Sequence, residues 1–339
     1  MLQMSNSFLW ILNSRRILFC VLSLVLLSSC DDNKERVVTM FPETMYLKAD
    51  TVEKMHKYSG ILSITSVADK YVCRVQGEYF YYIFDSNFQL ISQVARKGRG
   101  DKEFIAPFFP GQYHHEKGND YIYILERPQR VLYKVNIRDM RDIVPILSIP
   151  ANKKIEPRYI FSVGNKFVGA TDYDDCKIFV CDNQCKECVF KEQRFTSGKS
   201  KNHELFQSLA SYNSVCEKMA VSFFNMPQID IRNSNGDILK TLYIDKKSQF
   251  KERMSDKLYF SCICSTDKYI YALYRGYDDL EKRGKCAVLV FDWNANPIVK
   301  YVIDSSSYIA VDMKNKRILS VGENASNGCR LLSYPILEK

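Results

Sequence analysis

The sequence predicts an all-β domain assembled from repeated hairpins. Short runs of β-branched and aromatic residues alternate with turn-forming residues, and long helical periodicity is nearly absent. Hairpin signals recur roughly every 40 to 50 residues. The 22 Tyr and 20 Phe supply large side chains that stacked sheets can bury against one another. A radial array of four-stranded antiparallel sheets, a β-propeller, is the arrangement that such a repeat produces.

Six units can be distinguished along the chain. Their predicted bounds are 59–95, 107–137, 143–195, 205–244, 258–303 and 308–334. In the second unit, Pro128 occupies the turn, where its missing N–H removes no ladder hydrogen bond. In the fourth unit, Asn235 and Gly236 are expected to supply the positive φ angles of a tight hairpin turn. The count of units therefore predicts six blades.

Some features of the pattern leave alternatives open. The inner strands of the third unit are poorly marked, so five or seven blades are also compatible with the spacing. The segment Asn202–Tyr212 is expected to form a short helix or an irregular insert between blades. A pair of β-sandwiches is the competing fold, but it does not predict so even a spacing.

The first 29 residues have the features of a lipoprotein signal peptide. Arg15 and Arg16 form a positive region, and Ile17–Leu27 is an apolar run typical of a signal h-region and too short to span a bilayer. The string "LSSC", which ends at Cys30, is similar to the lipobox of bacterial lipoproteins. This resemblance implies that Cys30 is diacylated and becomes the new N-terminus. The alternatives are an ordinary secretory signal and an uncleaved anchor.

The remaining chain is divided into two parts. Residues 30–57 are expected to contain the lipidated N-terminus, a linker and a possible closing strand, and residues 58–339 the propeller domain.

With 48 Lys+Arg against 39 Asp+Glu, the net charge of +9 is modest, and no long basic run is interleaved with aromatic residues. The composition therefore predicts no nucleic-acid partner. No motif predicts a cofactor.

One string of the first unit resembles a family signature. "KGRGDKEF", residues 97–104, is similar to the "GxGPGEF" string of the TolB-like six-bladed propeller lipoproteins of Bacteroidota. The matching positions are Gly98, Gly100, Glu103 and Phe104. Asp101 and Lys102 depart from the signature, which has Pro and Gly there. Two further strings, Tyr269–Gly276 and Tyr308–Val321, are similar to later parts of the same family, so the resemblance spans most of the chain after Cys30.

The signature residues also have a physical interpretation. Two glycines two positions apart allow a sharp turn with positive φ, and Glu103 can accept hydrogen bonds from backbone N–H groups that the turn leaves free. Phe104 is expected to bury its ring between blades, which contributes on the order of 2 kcal/mol. The embedded Arg99-Gly100-Asp101 matches an adhesion tripeptide, but three residues match often by chance. A phosphate loop is disfavoured because the following residues, with two prolines, do not form a helix.

Four of the 12 cysteines lie close together in the third unit. They are Cys176, Cys181, Cys185 and Cys188, the last two in a C-x-x-C arrangement. Zinc binding requires four ligands that converge tetrahedrally as thiolates, whereas these residues straddle a predicted hairpin turn at irregular spacing. Local disulfides or free thiols are therefore the favoured interpretation. No metal is predicted, and Cys181, Cys185 and Cys188 are only weak candidate ligands.

Other polar clusters predict no catalytic site. His114-His115-Glu116 and His203-Glu204 lack the spacing of a catalytic metal site and are interpreted as polar loop residues. The acidic stretches Thr171–Cys176 and Tyr277–Lys282 match neither a calcium loop nor an acid/base pair. No nucleophile elbow is present. No catalytic residue is therefore assigned.

Architecture and family resemblance together indicate a lipid-anchored, exported propeller that functions by binding. Propellers place variable loops around one end of a central channel, so a peptide, a glycan or an envelope protein is the expected partner. The expected location is the cell envelope, with the lipid in the outer membrane and the domain facing either the periplasm or the surface. The alternatives are a lyase or hydrolase acting on an extracellular polymer, and a scaffold in an envelope complex.

Overall fold

Six separate sheets of four or five strands form a closed ring, the six-bladed β-propeller that the sequence predicts. A computed structural model describes residues 34–336 apart from 59, 140, 154, 172–176, 192–206, 246–256 and 323–329. The ring is preceded by β1 (Glu35–Val38), β2 (Thr44–Tyr46), β3 (Asp50–Thr51) and a 3-10 turn, Glu53–Met55. Each sheet is one blade.

The blades follow one another in chain order. Blade 1 comprises β4 (Ile61–Val67), β5 (Lys70–Val75), β6 (Tyr79–Asp85) and β7 (Leu90–Arg96). Blade 2 comprises β8 (Pro107–Phe108), β9 (Tyr113–Glu116), β10 (Asn119–Glu126), β11 (Val131–Asn136) and β12 (Ile143–Ser148). A second 3-10 turn, Ala151–Lys153, leads to blade 3, which comprises β13 (Pro157–Val163), β14 (Lys166–Thr171), β15 (Ile178–Asp182) and β16 (Cys188–Lys191).

The second half of the ring has the same plan. Blade 4 comprises β17 (Ser208–Asn213), β18 (Lys218–Phe223), β19 (Met226–Asn233) and β20 (Ile238–Ile244). Blade 5 comprises β21 (Phe260–Ser265), β22 (Tyr269–Tyr274), the short helix α1 (Asp278–Glu281), β23 (Lys285–Asp292) and β24 (Pro297–Asp304). Blade 6 comprises β25 (Ser306–Asp312), β26 (Arg317–Gly322) and β27 (Arg330–Pro335). Within the described ranges, no helix has the length and apolar character needed to cross a bilayer.

The three N-terminal strands run along the outer edges of the last three blades. β1 pairs in parallel with β20, and β2 pairs in parallel with β24. β3 pairs antiparallel with β27 and is the fourth strand of blade 6. These strands pair backbone groups that an open sheet edge would otherwise present to solvent.

The hydrophobic core is divided into six clusters, each between two neighbouring blades. Because successive side chains of a strand point to opposite faces, one strand serves two interfaces. On β10, Ile122 and Ile124 face blade 1, whereas Tyr123 and Leu125 face blade 3. Blades 6 and 1 share a cluster of the same kind, so the ring closes through packing as well as through β3.

A side-chain-capped turn ends the third strand of blades 1, 3, 4 and 5. The capping residues are Asp85, Asp182, Asn233 and Asp292. Each Oδ1 accepts hydrogen bonds of 2.8–3.2 Å from the N–H groups two and four residues later. The residue three positions later has a left-handed φ of 53–77° in each case. Those residues are Phe88, Cys185, Gly236 and Ala295. The same geometry recurs around the ring, and in each of these turns the residue with the left-handed φ is buried.

Two local predictions were wrong. Ser208–Tyr212 belongs to the innermost strand of blade 4, not to a helix, and 202–206 lie outside the described residues. Pairing with β18 along the whole strand overrides the local helix preference. In the fourth-unit turn, Gly236 has a positive φ of 77° but Asn235 does not. The loop there is longer than a two-residue turn, and the Asn233 side chain caps it.

Candidate functional site

The innermost strands of all six blades surround a narrow central channel. Its cavity of about 100 Å³ is lined mainly by serine, alanine, aromatic and cysteine side chains, such as Ser211, Ala210, Tyr159, Tyr308 and Cys264. That volume has room for a few water molecules, whereas pockets that enclose small ligands usually have about 300–1,000 Å³. A ligand larger than a single side-chain tip must therefore bind at a mouth of the channel.

The channel wall offers hydroxyl and thiol groups. Ser211 Oγ and Ser265 Oγ are 2.8 Å apart, and both face the cavity. Burial raises the pKa of Cys262 to about 12 and also raises the pKa of Cys264, so both thiols are neutral and are poor nucleophiles. Among the described residues that line the cavity there is no histidine, aspartate or glutamate.

Two arginines lie at one mouth of the channel, and each is stacked on an aromatic ring. Arg127 follows the second strand of blade 2 and Arg158 lies near the start of the first strand of blade 3, positions that meet at the same end of a propeller. The guanidinium carbons lie 4.6 Å from the ring centroid of Phe108 and 5.1 Å from that of Phe224, respectively. Such stacking orients a guanidinium group.

Backbone carbonyls of the following blades hold both arginines. Arg127 Nη2 donates a 3.2 Å hydrogen bond to the carbonyl of Arg158, and Arg158 Nε donates a 2.7 Å hydrogen bond to the carbonyl of Ser208. The contacts run from blade 2 to blade 3 and from blade 3 to blade 4. The position of the positive charge at this mouth is therefore set by the packing of three blades.

Glu126, the neighbour of Arg127, connects this mouth to the loop that follows the signature. Its side chain is buried and accepts hydrogen bonds from the N–H groups of Ile105, at 3.2 Å, and Ala106, at 3.0 Å. Burial raises the pKa of this carboxyl group, and the two hydrogen bonds oppose the shift. The Glu126 side chain therefore fixes the connection between blades 1 and 2.

The signature residues form that connection. Gly100 N–H donates a 2.8 Å hydrogen bond to Glu103 Oε2, and a Cβ atom on Gly98 would lie only 1.8 Å from the same oxygen. Phe104 is 1% exposed and lies in the cluster between blades 1 and 2. These contacts are those that the physical interpretation of the string expects of Glu103 and Phe104.

One expectation about this connection was wrong. Gly100 does not have a positive φ; Lys102, which stands where the family signature has glycine, has the left-handed φ of 60°. A non-glycine residue in such a conformation costs on the order of 1 kcal/mol. Arg99, Gly100 and Asp101 are exposed, and the connection leads into β8, a strand rather than the helix that a phosphate loop requires.

The structure brings three of the four clustered cysteines together. The Sγ atoms of Cys181, Cys185 and Cys188 all lie within 4.8 Å of one another, and Cys176 lies outside the described residues. Burial raises the pKa of Cys181 and raises that of Cys188 to about 11. Among the candidate metal ligands that the structure describes, these three converge.

Among the described residues, the His114-His115-Glu116 cluster does not line the channel. His114 and His115 lie on strand β9 rather than in a loop. His115 Nδ1 is 2.8 Å from Asp120, which also pairs with Lys70 at 3.1 Å. Although burial opposes the shift, hydrogen bonds from Tyr113, His115 and Lys70 lower the pKa of Asp120. This network fixes blade 1 against blade 2.

The remaining acidic and histidine candidates do not form a described site. Within Tyr277–Lys282, the exposed Asp278 pairs with Lys257. His203, Glu204 and most of Thr171–Cys176 lie outside the described ranges.

Sequence reasoning missed Arg127 and Arg158. The sequence signal was their position, because each stands beside a proline at one end of a run of β-branched and aromatic residues, in "LERPQR" and "EPRYIF". A residue at the end of a strand lies near one mouth of the channel, but the sequence does not reveal which side chains from different blades meet there. That information depends on the closure of the ring.

Comparison with known proteins agrees with this geometry. A family model described as TolB-like 6-blade propeller-like matches residues 64–314. No curated protein sequence matches the chain.

Solved structures share the fold at low sequence identity. A Bacteroides fragilis protein described as exported is similar with a TM-score of 0.57 and 12% identity, over 90% of this chain and 100% of that one. A DUF4221 member from Bacteroides vulgatus has a TM-score of 0.53 and 12% identity, over 85% and 97%. A luciferin-regenerating enzyme has a TM-score of 0.50 and 7% identity, over 86% and 96%. At these identities the likeness shows the fold alone.

Proposed function

Because the chain belongs to the TolB-like family of six-bladed β-propellers, we propose that it is an exported, lipid-anchored binding module for a peptide or protein of the cell envelope. An acidic side chain or a terminal carboxylate of the partner enters the channel mouth between Arg127 and Arg158. The observation that carries this proposal is the pair of stacked guanidinium groups at the mouth of a channel whose cavity is too small to enclose a larger ligand.

The chemistry of the mouth suits a carboxylate. A guanidinium group presents parallel N–H donors that match the two oxygens of a carboxylate, and charge-assisted hydrogen bonds are stronger than neutral ones. The aromatic rings of Phe108 and Phe224 hold the two groups in place before binding, which reduces the entropy lost on association. A cavity of about 150 Å³ holds a molecule of the size of benzene, so a cavity of about 100 Å³ favours a carboxylate over a sugar ring.

The same lining favours binding over catalysis. A hydrolase or lyase needs a group that transfers protons near neutral pH, and the described residues around the cavity provide arginines, tyrosines and neutral thiols instead. The scaffold alternative differs in one observable respect, since a scaffold would use a surface other than the mouth.

Substitution of either mouth arginine by glutamine is expected to weaken binding about 10- to 100-fold. This range corresponds to losing charged hydrogen bonds worth about 1.5–3 kcal/mol. The measurement is recovery of crosslinked partners from native envelopes by the full chain, repeated over a range of salt concentrations. Added salt should reduce recovery by the wild-type protein, because exposed charge pairs are screened.

Arg130→Gln is the matched control. Arg130 is three residues from Arg127, pairs with Glu156 at 3.2 Å and does not line the channel. Recovery should be unchanged in this variant. Equal recovery by the wild-type protein, Arg127→Gln and Arg158→Gln would instead favour a scaffold that binds through another surface, and recovery of no partner would favour a small ligand or an enzyme. Thermal melts of each variant separate a binding defect from misfolding.

Lipid anchoring rests on the "LSSC" string and on the exported nature of a structural relative. We expect Cys30→Ser to move the protein from the membrane fraction to the soluble fraction and to abolish incorporation of labelled fatty acid. Cys20→Ser, which changes a cysteine of the predicted signal, should leave both unchanged. If Cys30→Ser still incorporates the label, the proposed site of acylation is wrong.

A further inference from the structure

Three cysteine thiols converge between blades 2 and 3, away from the channel. Cys181 and Cys185 are buried among apolar residues of the two blades, and Cys188 lies partly exposed beside them. Cys185 Sγ and Cys188 Sγ are 3.4 Å apart, and all three sulfur atoms lie within 4.8 Å of one another. None of the three lines the central cavity.

Backbone geometry alone accounts for the convergence. Cys181 and Cys188 are directly opposite each other in the pairing of β15 with β16, so their side chains share one face of the sheet. Cys185 occupies the left-handed position of the Asp182-capped turn, with a φ of 53°. The equivalent residues Phe88 and Ala295 are buried at their own turns. The turn therefore directs the Cys185 thiol toward the other two.

The spacing of the sulfur atoms fits a shared metal ion better than a disulfide. A tetrahedral zinc site with Zn–S bonds of about 2.3 Å places its sulfur atoms about 3.8 Å apart, which is within the observed spread. A disulfide requires about 2.05 Å between two sulfur atoms. It would also leave the third thiol unpaired next to the bond, whereas one ion engages all three.

The surrounding charge is compatible with a bound cation and three thiolates. Such a group has a net charge of −1, and Lys153 Nζ lies against the same turn, where it donates a 2.8 Å hydrogen bond to the carbonyl of Lys186. The positive charge of Lys153 also interacts favourably with the Cys188 thiolate. Apolar side chains such as Ile155 and Phe179 exclude water from one side of the cluster.

We propose that Cys181, Cys185 and Cys188 form a binding site for a thiophilic d10 metal ion of the Zn²⁺ class. The ion is held by three thiolates, whose thiols each release a proton on binding, and the ion ties Cys185 in the β15–β16 turn to the two strands that flank it. The site is independent of the channel mouth. Its function is to stabilise the β15–β16 hairpin of blade 3, which packs against blade 2.

The test uses the full chain, reduced and kept free of oxygen, and titrated with Zn²⁺ or Cd²⁺. We expect one equivalent to bind, with the ultraviolet charge-transfer absorption of Cd²⁺–thiolate bonds, and to raise the melting temperature. Cys188→Ser changes the partly exposed position and should fold. Because it removes a ligand, its affinity for the ion should fall by more than the roughly 10- to 100-fold that follows the loss of a ligand's hydrogen-bond partner. Cys264→Ser, in the channel, should bind metal like the wild-type protein.

Three results would overturn the proposal. The first is no stoichiometric binding by the reduced wild-type protein. The second is equal affinity in Cys188→Ser and the wild-type protein. The third is a disulfide between two of these cysteines that forms in the presence of excess Zn²⁺, detected as the loss of two hydrogens in the mass of the intact protein. If Cys188→Ser fails to fold, charge-transfer absorption in the wild-type protein at one equivalent of Cd²⁺ decides the question.

Discussion

Replacement of Phe104 by alanine is expected to lower the free energy of unfolding by about 3–5 kcal/mol. The Phe104 ring is 1% exposed, packs edge-on against Tyr133 at a centroid distance of 5.4 Å and lies in the cluster between blades 1 and 2. Removal of the ring loses the free energy gained when the ring is transferred from water to the core. It also leaves a cavity that the packed blades cannot fill. Denaturant unfolding of the purified domain measures the change.

Phe190→Ala is the control for this prediction. Phe190 lies on β16 with 45% of its surface exposed, so its removal should change the free energy of unfolding by less than about 0.5 kcal/mol. Similar effects for the two variants would show that Phe104 is not an anchor between blades. The connection would then depend on Glu103 and Glu126 alone.

Conversion of Asp230 to asparagine is expected to destabilise the domain by about 3–5 kcal/mol, because it leaves the charge of Arg232 buried without a counter-charge. Asp230 is fully buried on β19 and accepts hydrogen bonds from Arg232 Nη2, at 2.9 Å, Gln228 Nε2, at 2.9 Å, and Thr241 Oγ1, at 3.0 Å. Arg232 is itself among the largest fully buried side chains. Thermal and denaturant unfolding provide the measurement.

Two further variants separate the buried pair from surface electrostatics. In Asp230→Asn/Arg232→Met, no unpaired charge is left, so the loss should be smaller than the sum of the two single losses. Asp237→Asn, in the β19–β20 turn of blade 4, breaks an exposed pair with Lys191 of blade 3, at 2.8 Å, and should change the free energy of unfolding by less than about 1 kcal/mol. Strict additivity of the two buried substitutions would contradict the ion-pair account.

Local sequence predicted those parts of the fold that depend on neighbouring residues. The hairpin of β10 and β11 followed from two β-prone runs around Pro128, and the role of Glu103 followed from the two glycines before it. The four capped turns also had a local signal that was overlooked, because strings such as "DSNFQ" and "DWNAN" repeat at the ends of third strands. In Ser208–Tyr212 the local preference was misleading, because pairing with β18 determines the strand.

By itself, the sequence determined the all-β class and the position of the blade connection at Gly98–Phe104, and it favoured six blades over five or seven. The alternation of side chains along a strand and the residues of a turn depend on only a few neighbouring positions. They can therefore be recognised along the sequence. Only the tertiary structure decided which distant side chains meet. Arg127 and Arg158 share a mouth, and Cys181, Cys185 and Cys188 share a site, because ring closure and strand register bring their backbones together. These contacts depend on the packing of whole blades, which no short string encodes.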